Sequence, residues 1–150
     1  MKEILLNIHW KLGDIDMKTI IAGSRQGITY DDVLKAMETC PWTPTEIVSG
    51  KARGVDTMGE QWAKKNDIPI KEFPADWDDL SHPDAKIRIN KFGKKYDAYS
   101  GIRRNHEMGD YADALVCVWD GKSTGSKDMI DYANKKGLKI HIHIPREKTR

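Results

Sequence analysis

Five apolar runs separated by helical patterns decide what this chain can fold into. They are Thr19–Ala22, Glu46–Val48, Ile68–Phe73, Ala114–Trp119 and Leu138–Ile144, each rich in β-branched or aromatic residues and bounded by Gly, Pro, Asn or Asp. Between them, Asp31–Thr39 places Val33, Leu34 and Met37 at helical spacing, and Gly54–Asn66 does the same with Val55, Met58, Trp62 and Ala63. Asn105–Tyr111 and Ser126–Lys136 are shorter patterns of the same kind. Short strands that are apolar on both faces and alternate with helices predict a mostly parallel sheet of about five strands with helices on each side, a Rossmann-like three-layer α/β sandwich.

With 150 residues, 39% of them hydrophobic, the chain can bury one full core and not comfortably two. The expected organisation is a single domain over 17–150 preceded by an extension, 1–16, whose apolar residues fit neither helix nor strand. Met17 opens the first strand at once and is expected to be the natural initiator, since codons for Gly13-Asp14 can supply a purine-rich ribosome-binding signal. The rival expectation is an added strand or arm used in self-association. A formal net charge of +2 excludes a globally basic or acidic surface, so any anion-binding patch must be local. Cys40 in a Cys-Pro turn and Cys117 inside an apolar run read as ordinary thiols of a reducing compartment. No run has the length of a membrane span, and the N-terminus lacks a signal-peptide pattern, so a cytoplasmic protein without membrane partners is expected.

Phe73 to Arg104 breaks the alternation. It holds Pro74, Pro83, Gly93 and Gly101, and it is too long for an ordinary loop, which predicts either an excursion with its own helix or a functional lid. Its charge is segregated, with Asp76, Asp78, Asp79 and Asp84 first and then Lys86, Arg88, Lys91, Lys94, Lys95, Arg103 and Arg104 with only Asp97 among them. The two readings are a solvated charged face and a basic rim over a site.

In an open parallel sheet, ligands bind at the carboxyl ends of the strands. Three glycine-bearing segments fall there: Gly23-Ser24-Arg25 after the first strand, Ser49-Gly50-Lys51-Ala52-Arg53-Gly54-Val55 after the second, and Asp120-Gly121-Lys122-Ser123-Thr124-Gly125-Ser126 after the fourth. Glycine lets a phosphate or ribose approach the backbone, and the following helix N-terminus favours an anion. Arg25, Arg53 and Arg104 add guanidinium forks suited to phosphate. Neither a Walker pattern nor G-x-G-x-x-G is present.

These motifs reach a known family. Ile21-Ala22-Gly23-Ser24-Arg25, Ser49-Gly50-x-Ala52-Arg53-Gly54-Val55-Asp56, Arg104-Asn105, Ala112-Asp113-Ala114-Leu115-Val116 and Ser123-x-Gly125-Ser126 together resemble the SLOG superfamily. That group unites DprA-type single-strand DNA-binding proteins with LOG-type nucleotide phosphoribohydrolases. Phe73-Pro74-Ala75-Asp76-Trp77, Arg104-Asn105-x-x-Met108 and Val118-Trp119-Asp120-Gly121-Lys122-Ser123 look like its small stand-alone YspA-like, cpYpsA-related branch, found in bacteria and phages. The resemblance spans roughly Lys18 to Ile144. It implies a pocket for a nucleotide-derived ligand in which Gly23, Ser24 and Arg25 contact one end, Ser49 and Gly50 to Val55 meet a phosphate or ribose, Arg104 with Asn105 pairs with phosphate, and Asp120, Gly121, Ser123, Gly125 and Ser126 close the other side.

The departures bear on catalysis. LOG enzymes carry Pro-Gly-Gly-x-Gly-Thr-x-x-Glu, whereas this chain has Lys122-Ser123-Thr124-Gly125-Ser126 with Met129 at the position of the acid, and a methionine cannot move a proton. Asp128 is adjacent and is expected to point to another side of its helix. No catalytic residue, cofactor or metal is therefore assigned, and the expected activity is non-catalytic binding of an ADP-ribose-like or cyclic nucleotide signal. The roles this implies are a sensor or a sequestering sponge, including a phage sponge against a host-defence messenger. Alternatives are single-stranded nucleic-acid binding through Lys86–Arg104 with Phe92, Tyr96 and Tyr99 interleaved, and a LOG-type hydrolase. Relatives of the LOG type suggest a homo-oligomer. Among further residues, Asp56 is expected to cap its helix, Trp62 and Trp119 to pack, His106 to stand at a helix terminus or line the pocket, and His141 and His143 to share the water-facing side of an edge strand.

Overall fold

The computed structural model describes residues 16–145; residues 1–15, on which most of the expected N-terminal extension falls, lie outside the described residues. The elements run β1 (Lys18–Gly23), α1 (Tyr30–Thr39), β2 (Glu46–Ser49), α2 (Val55–Lys65), β3 (Ile70–Glu72), β4 (Ile87–Ile89), β5 (Lys95–Asp97), α3 (Ser100–Tyr111), β6 (Ala114–Val118), α4 (Thr124–Lys136) and β7 (Lys139–His143). Each of the five apolar runs supplies one strand of a five-stranded sheet in the order β3-β2-β1-β6-β7. Every pair in it is parallel, with Ile21 opposite Val116 and Gly23 opposite Val118 at the centre. The chain has the Rossmann-like α/β fold its alternation predicts.

The period of two along the strands sorts side chains into two core layers. Ile21, Ile47, Val116 and Val118 meet Val33, Ala36 and Met37 of α1 and Val55 and Ala63 of α2. Ile20, Val48, Leu115 and Cys117 meet Met108 of α3 and Met129 and Ala133 of α4. Ile20, Ile21 and Leu115 are at most 1% exposed. Each fully buried side chain of this size contributes about 1.5–3 kcal/mol. The helices are bounded by local chemistry: at the start of α1, Thr29 Oγ1 accepts from Asp32 N–H at 3.2 Å while Asp32 Oδ2 accepts from Thr29 N–H at 2.9 Å. Cys40 and Cys117 are both free thiols, and burial pushes Cys117 up to about 12. Among the described residues no helix is long and apolar enough to cross a membrane.

The excursion departs from the expected helix. Its own element is the antiparallel hairpin β4–β5, with Arg88 opposite Tyr96. α3 begins at Ser100 rather than Asn105. Arg103 and Arg104 disguise that first turn as solvated loop, yet both are drawn inward by partners distant in sequence, Asp97 and Asp84 for Arg103 and the Gly50 carbonyl for Arg104.

The excursion hangs from Asp97, which is fully buried. Asp97 Oδ1 accepts from the N–H groups of Lys86 and Tyr99, both at 2.9 Å, and Oδ2 pairs with Arg103 at 3.1 Å. Burial works against this carboxylate, but those donors hold it below the usual range. Its own N–H donates to the Trp77 carbonyl at 2.7 Å, which sets Trp77 against α3.

Candidate functional site

The strand order places the reversal of winding between β1 and β6, and ligand crevices of open α/β sheets open outside the carboxyl ends of strands at that point. A cleft of about 680 Å³ lies there. Gly23, Ser24 and Arg25 floor it, Asp120 and the first turn of α4 form one side, and Arg104, Asn105 and Met108 of α3 form the other. Trp77 closes the remaining side, resting on Gly101 so closely that a Cβ there would stand 3.0 Å from its Cη2. The size matches small-molecule sites, which run about 300–1,000 Å³.

The serines that floor and rim the cleft act mainly as braces. Ser24, 2% exposed, accepts the Asp120 N–H on Oγ at 3.1 Å, and its carbonyl accepts the Val55 N–H at 3.3 Å, joining the loops after β1, β2 and β6. Asp120 Oδ1 accepts from Lys122 and Ser123 N–H groups at 2.8 Å, which holds its carboxyl below the usual range. Ser123 Oγ donates to Ser126 Oγ at 2.9 Å, and Trp119 Nε1 donates to the Ser123 carbonyl at 3.1 Å. Trp119 therefore fastens the loop and packs on the core, as expected.

The loop after β2 is shaped by what crosses it. Arg104 Nη1 donates to the Gly50 carbonyl. A Cβ on Gly50 would lie 2.6 Å from Arg104 Nη1 and 2.8 Å from Asp56 Oδ2, so any side chain there must displace the tips of both charged groups. Gly54, with φ of +80°, runs under the Arg25 backbone, where a Cβ would meet the Ser24 carbonyl at 2.7 Å. Lys51 Nζ is held by Glu60 at 3.1 Å and Glu72 at 3.3 Å, and Ser49 Oγ donates to Glu60 at 2.6 Å.

Arg104 is 7% exposed and among the described residues its Nε has no hydrogen-bond partner. Burial pulls its basicity down, opposed by the field of Asp56. Asp56 does not cap α2 in the expected way: the N-cap is Gly54 with no side-chain bond, and Asp56 Oδ2 instead accepts the Ala52 N–H of the loop at 3.3 Å. Burial pushes Asp56 up to about 6, against the opposing pull of Arg104 and the Ala52 N–H.

Asp128 faces the cleft. Its Oδ2 accepts from Asn105 Nδ2 at 3.2 Å and its Oδ1 lies 3.4 Å from His106 Nε2. His106 itself stands behind Asp128, stacked on Tyr132 at 4.0 Å. Met129 is 1% exposed and belongs to the core while touching the cleft floor.

Of the residues expected from sequence, Gly23, Ser24, Arg25, Ala52, Arg104 and Asn105 line the main cleft, with Asp120, Ser123, Gly125 and Ser126 facing them. Gly50 and Arg53 line an adjoining hollow instead. Ser49, Gly54, Val55 and Gly121 line neither, because Ser49 and Val55 are buried, Gly54 passes beneath Arg25, and Gly121 turns in open space. Trp77, Ile102, Met108 and Asp128 line the cleft without having been assigned to it, although Trp77 and Met108 stand within the family-like motifs. His141 is half-buried rather than on a wet face, bonded to Thr39 Oγ1 at 2.9 Å and edge-on to Trp42. Among the described residues the metal-capable grouping is Asp76, Asp79 and His82, outside the cleft, where His82 is engaged by Asp76 at 3.1 Å.

Residues 17–79 match the family described as YspA, cpYpsA-related SLOG, so the SLOG resemblance read from the motifs is borne out. DNA processing protein A (DprA) from Streptococcus pneumoniae has a similar solved structure, with a TM-score of 0.60 and 19% sequence identity over 91% of this chain and 53% of that one. The chain thus spans about half the length of that protein, and at this identity the likeness is one of fold. No curated protein matches the chain.

Proposed function

We propose that this SLOG-like chain binds a nucleotide-derived small molecule, of the ADP-ribose or cyclic nucleotide kind, in the cleft between β1 and β6, and that it does so without turning the ligand over. The observation that carries the reading is Arg104, which lines the cleft wall while only 7% exposed, its buried Nε without a partner among the described residues. Asp56 and the Gly50 carbonyl satisfy part of this buried cation, and a phosphate matches the remainder of a guanidinium fork. Trp77, Ile102 and Met108 offer apolar surface for a base, and Asp120 and Asp128 offer acceptors for ribose hydroxyls. Asp120 is held as an anion by two backbone N–H groups, which makes it a poor proton donor. A binder of this sort acts as a sensor or a sponge.

The test is thermal shift across ADP-ribose, its cyclic isomers, AMP, cyclic dinucleotides and short single-stranded DNA, with Arg104→Ala in parallel and chromatography for released free base. Stabilisation by one nucleotide that the variant loses supports the reading. Free base release would replace it with a hydrolase. A second reading, nucleic-acid binding, is favoured by one feature: the β4–β5 hairpin exposes Phe92 at 83% and Ile89 at 65% among Arg88, Lys91, Lys94 and Lys95. A shift with DNA alone, weakening steeply with salt, would select it.

A further inference from the structure

The cleft has an annex. A hollow of about 280 Å³ opens beside it, and the two share Arg25, Ala52, Trp77 and Arg104. Beyond that waist the annex is walled by the Gly50–Arg53 loop and by Pro74 and Ala75.

The two spaces differ in charge. Asp56, Asp120 and Asp128 line the main cleft, whereas the annex is lined by Arg25, Lys51, Arg53 and Arg104 and by no carboxylate. Lys51 is already neutralised by Glu60 and Glu72. Arg25 and Arg53 are exposed, and among the described residues no carboxylate reaches either within ion-pair distance. Arg104 stands in the shared waist, more than nine-tenths buried, with Nε unsatisfied. Arg25 and Arg53, which no carboxylate of the described residues pairs, and Arg104, which Asp56 opposes from the main lobe, line this hollow together, an arrangement suited to an anion.

We infer that the annex is a second anion subsite, so that the ligand class is a nucleotide carrying two phosphoryl groups, its nucleoside in the main cleft and its far phosphoryl between Arg25, Arg53 and Arg104. This rests on the reading of the main cleft as a nucleotide site. Arg104 serves both lobes, so one phosphoryl sits at the waist and the next reaches Arg53. The lining also sets polarity: among the described residues the carboxylates that can accept from ribose hydroxyls, Asp56, Asp120 and Asp128, line the main lobe alone, and Lys51 and Arg53 line the annex alone.

The experiment is calorimetric titration of the full chain with AMP, ADP and adenosine 3′,5′-bisphosphate, on the wild type and on Arg53→Ala and Arg53→Lys. ADP carries the second phosphoryl in a pyrophosphate and the bisphosphate carries it elsewhere on the sugar, so the two arms separate those sources. The expected result is that one of the two binds about tenfold or more tighter than AMP, the gain typical of one charge-assisted contact, and that Arg53→Ala brings the ratio near one while Arg53→Lys keeps part of it. AMP binding with no gain from either second phosphoryl, or a gain that Arg53→Ala leaves intact, overturns the annex assignment and leaves the main-cleft reading standing. Failure of all three to bind overturns the annex assignment, and the main-cleft reading is then decided by the ADP-ribose and cyclic nucleotide arms of the thermal-shift panel.

Discussion

The guanidinium of Arg104 on α3 donates to the carbonyl of Gly50 at the end of β2, and the absence of a side chain at Gly50 is what lets it arrive. Gly50→Ala puts a methyl 2.6 Å from Nη1 and 2.8 Å from Asp56 Oδ2. The expected cost is about 1–3 kcal/mol of stability, as for other overpacked sites. Urea denaturation reads that cost, and ligand thermal shift should show lost binding; an unchanged denaturation midpoint would contradict the close approach.

Asp56 predicts a pH dependence. Its folded value, about 6, stands above the ordinary 3.8, so the fold favours the protonated form. That contribution is complete below the ordinary carboxylate value and is lost as pH rises through about 6, on the order of 2–3 kcal/mol in all. Stability should therefore decline between about pH 4 and 6.5, and Asp56→Asn should flatten this part of the profile. Denaturation midpoints collected across that window decide it, and an identical slope in the variant would count against it.

On the proposed reading, the same carboxyl is coupled to the ligand. A phosphate beside Arg104 disfavours ionised Asp56, so binding should take up a proton and weaken as pH rises through about 6. ADP-ribose is the suitable probe because its pyrophosphate does not titrate there. The affinity ratio between pH 5.5 and 7.5 should approach one in Asp56→Asn.

Asp97→Ala removes the acceptor that gathers Lys86, Tyr99 and Arg103. Hydrogen exchange should rise about tenfold or more in 74–99 while the amides of β1 and β6 stay protected. Uniform loss of protection would mean that the excursion is part of the sheet's cooperative unit.

Phe92→Ser alters a ring that is 83% exposed at the hairpin tip. Stability should change by no more than about 0.5 kcal/mol. Nucleotide affinity should be unaffected, and a loss of DNA affinity in this variant would mark the hairpin as a nucleic-acid surface.

The sheet was legible because burial on both faces leaves continuous apolar runs, and Ile20-Ile21-Ala22 and Leu115-Val116-Cys117 show this directly. The glycine loops were legible because Gly50 and Gly54 stand where a backbone must let something close. Trp77 was not, since its place depends on the N–H of Asp97, twenty residues on, and no local period announces such a bond. For Asp128 the reason is different: helix spacing puts it on another side than the buried Met129, and because α4 begins at the cleft rim that side is the cleft rather than solvent. Asp56 has the residue type and position of a cap, and only its burial shows that it serves the preceding loop.

Neither core layer draws a residue from 74–99, yet Trp77 from that stretch forms a wall of the cleft. Floor and wall thus answer to different forces, hydrophobic burial for one and the Asp97 hydrogen bonds for the other. A consequence concerns time rather than affinity. On the proposed reading, substitutions that loosen the Asp97 contacts or the Trp77–Tyr96 packing should shorten the residence time of a bound nucleotide while leaving both core layers, and the melting temperature they set, little changed.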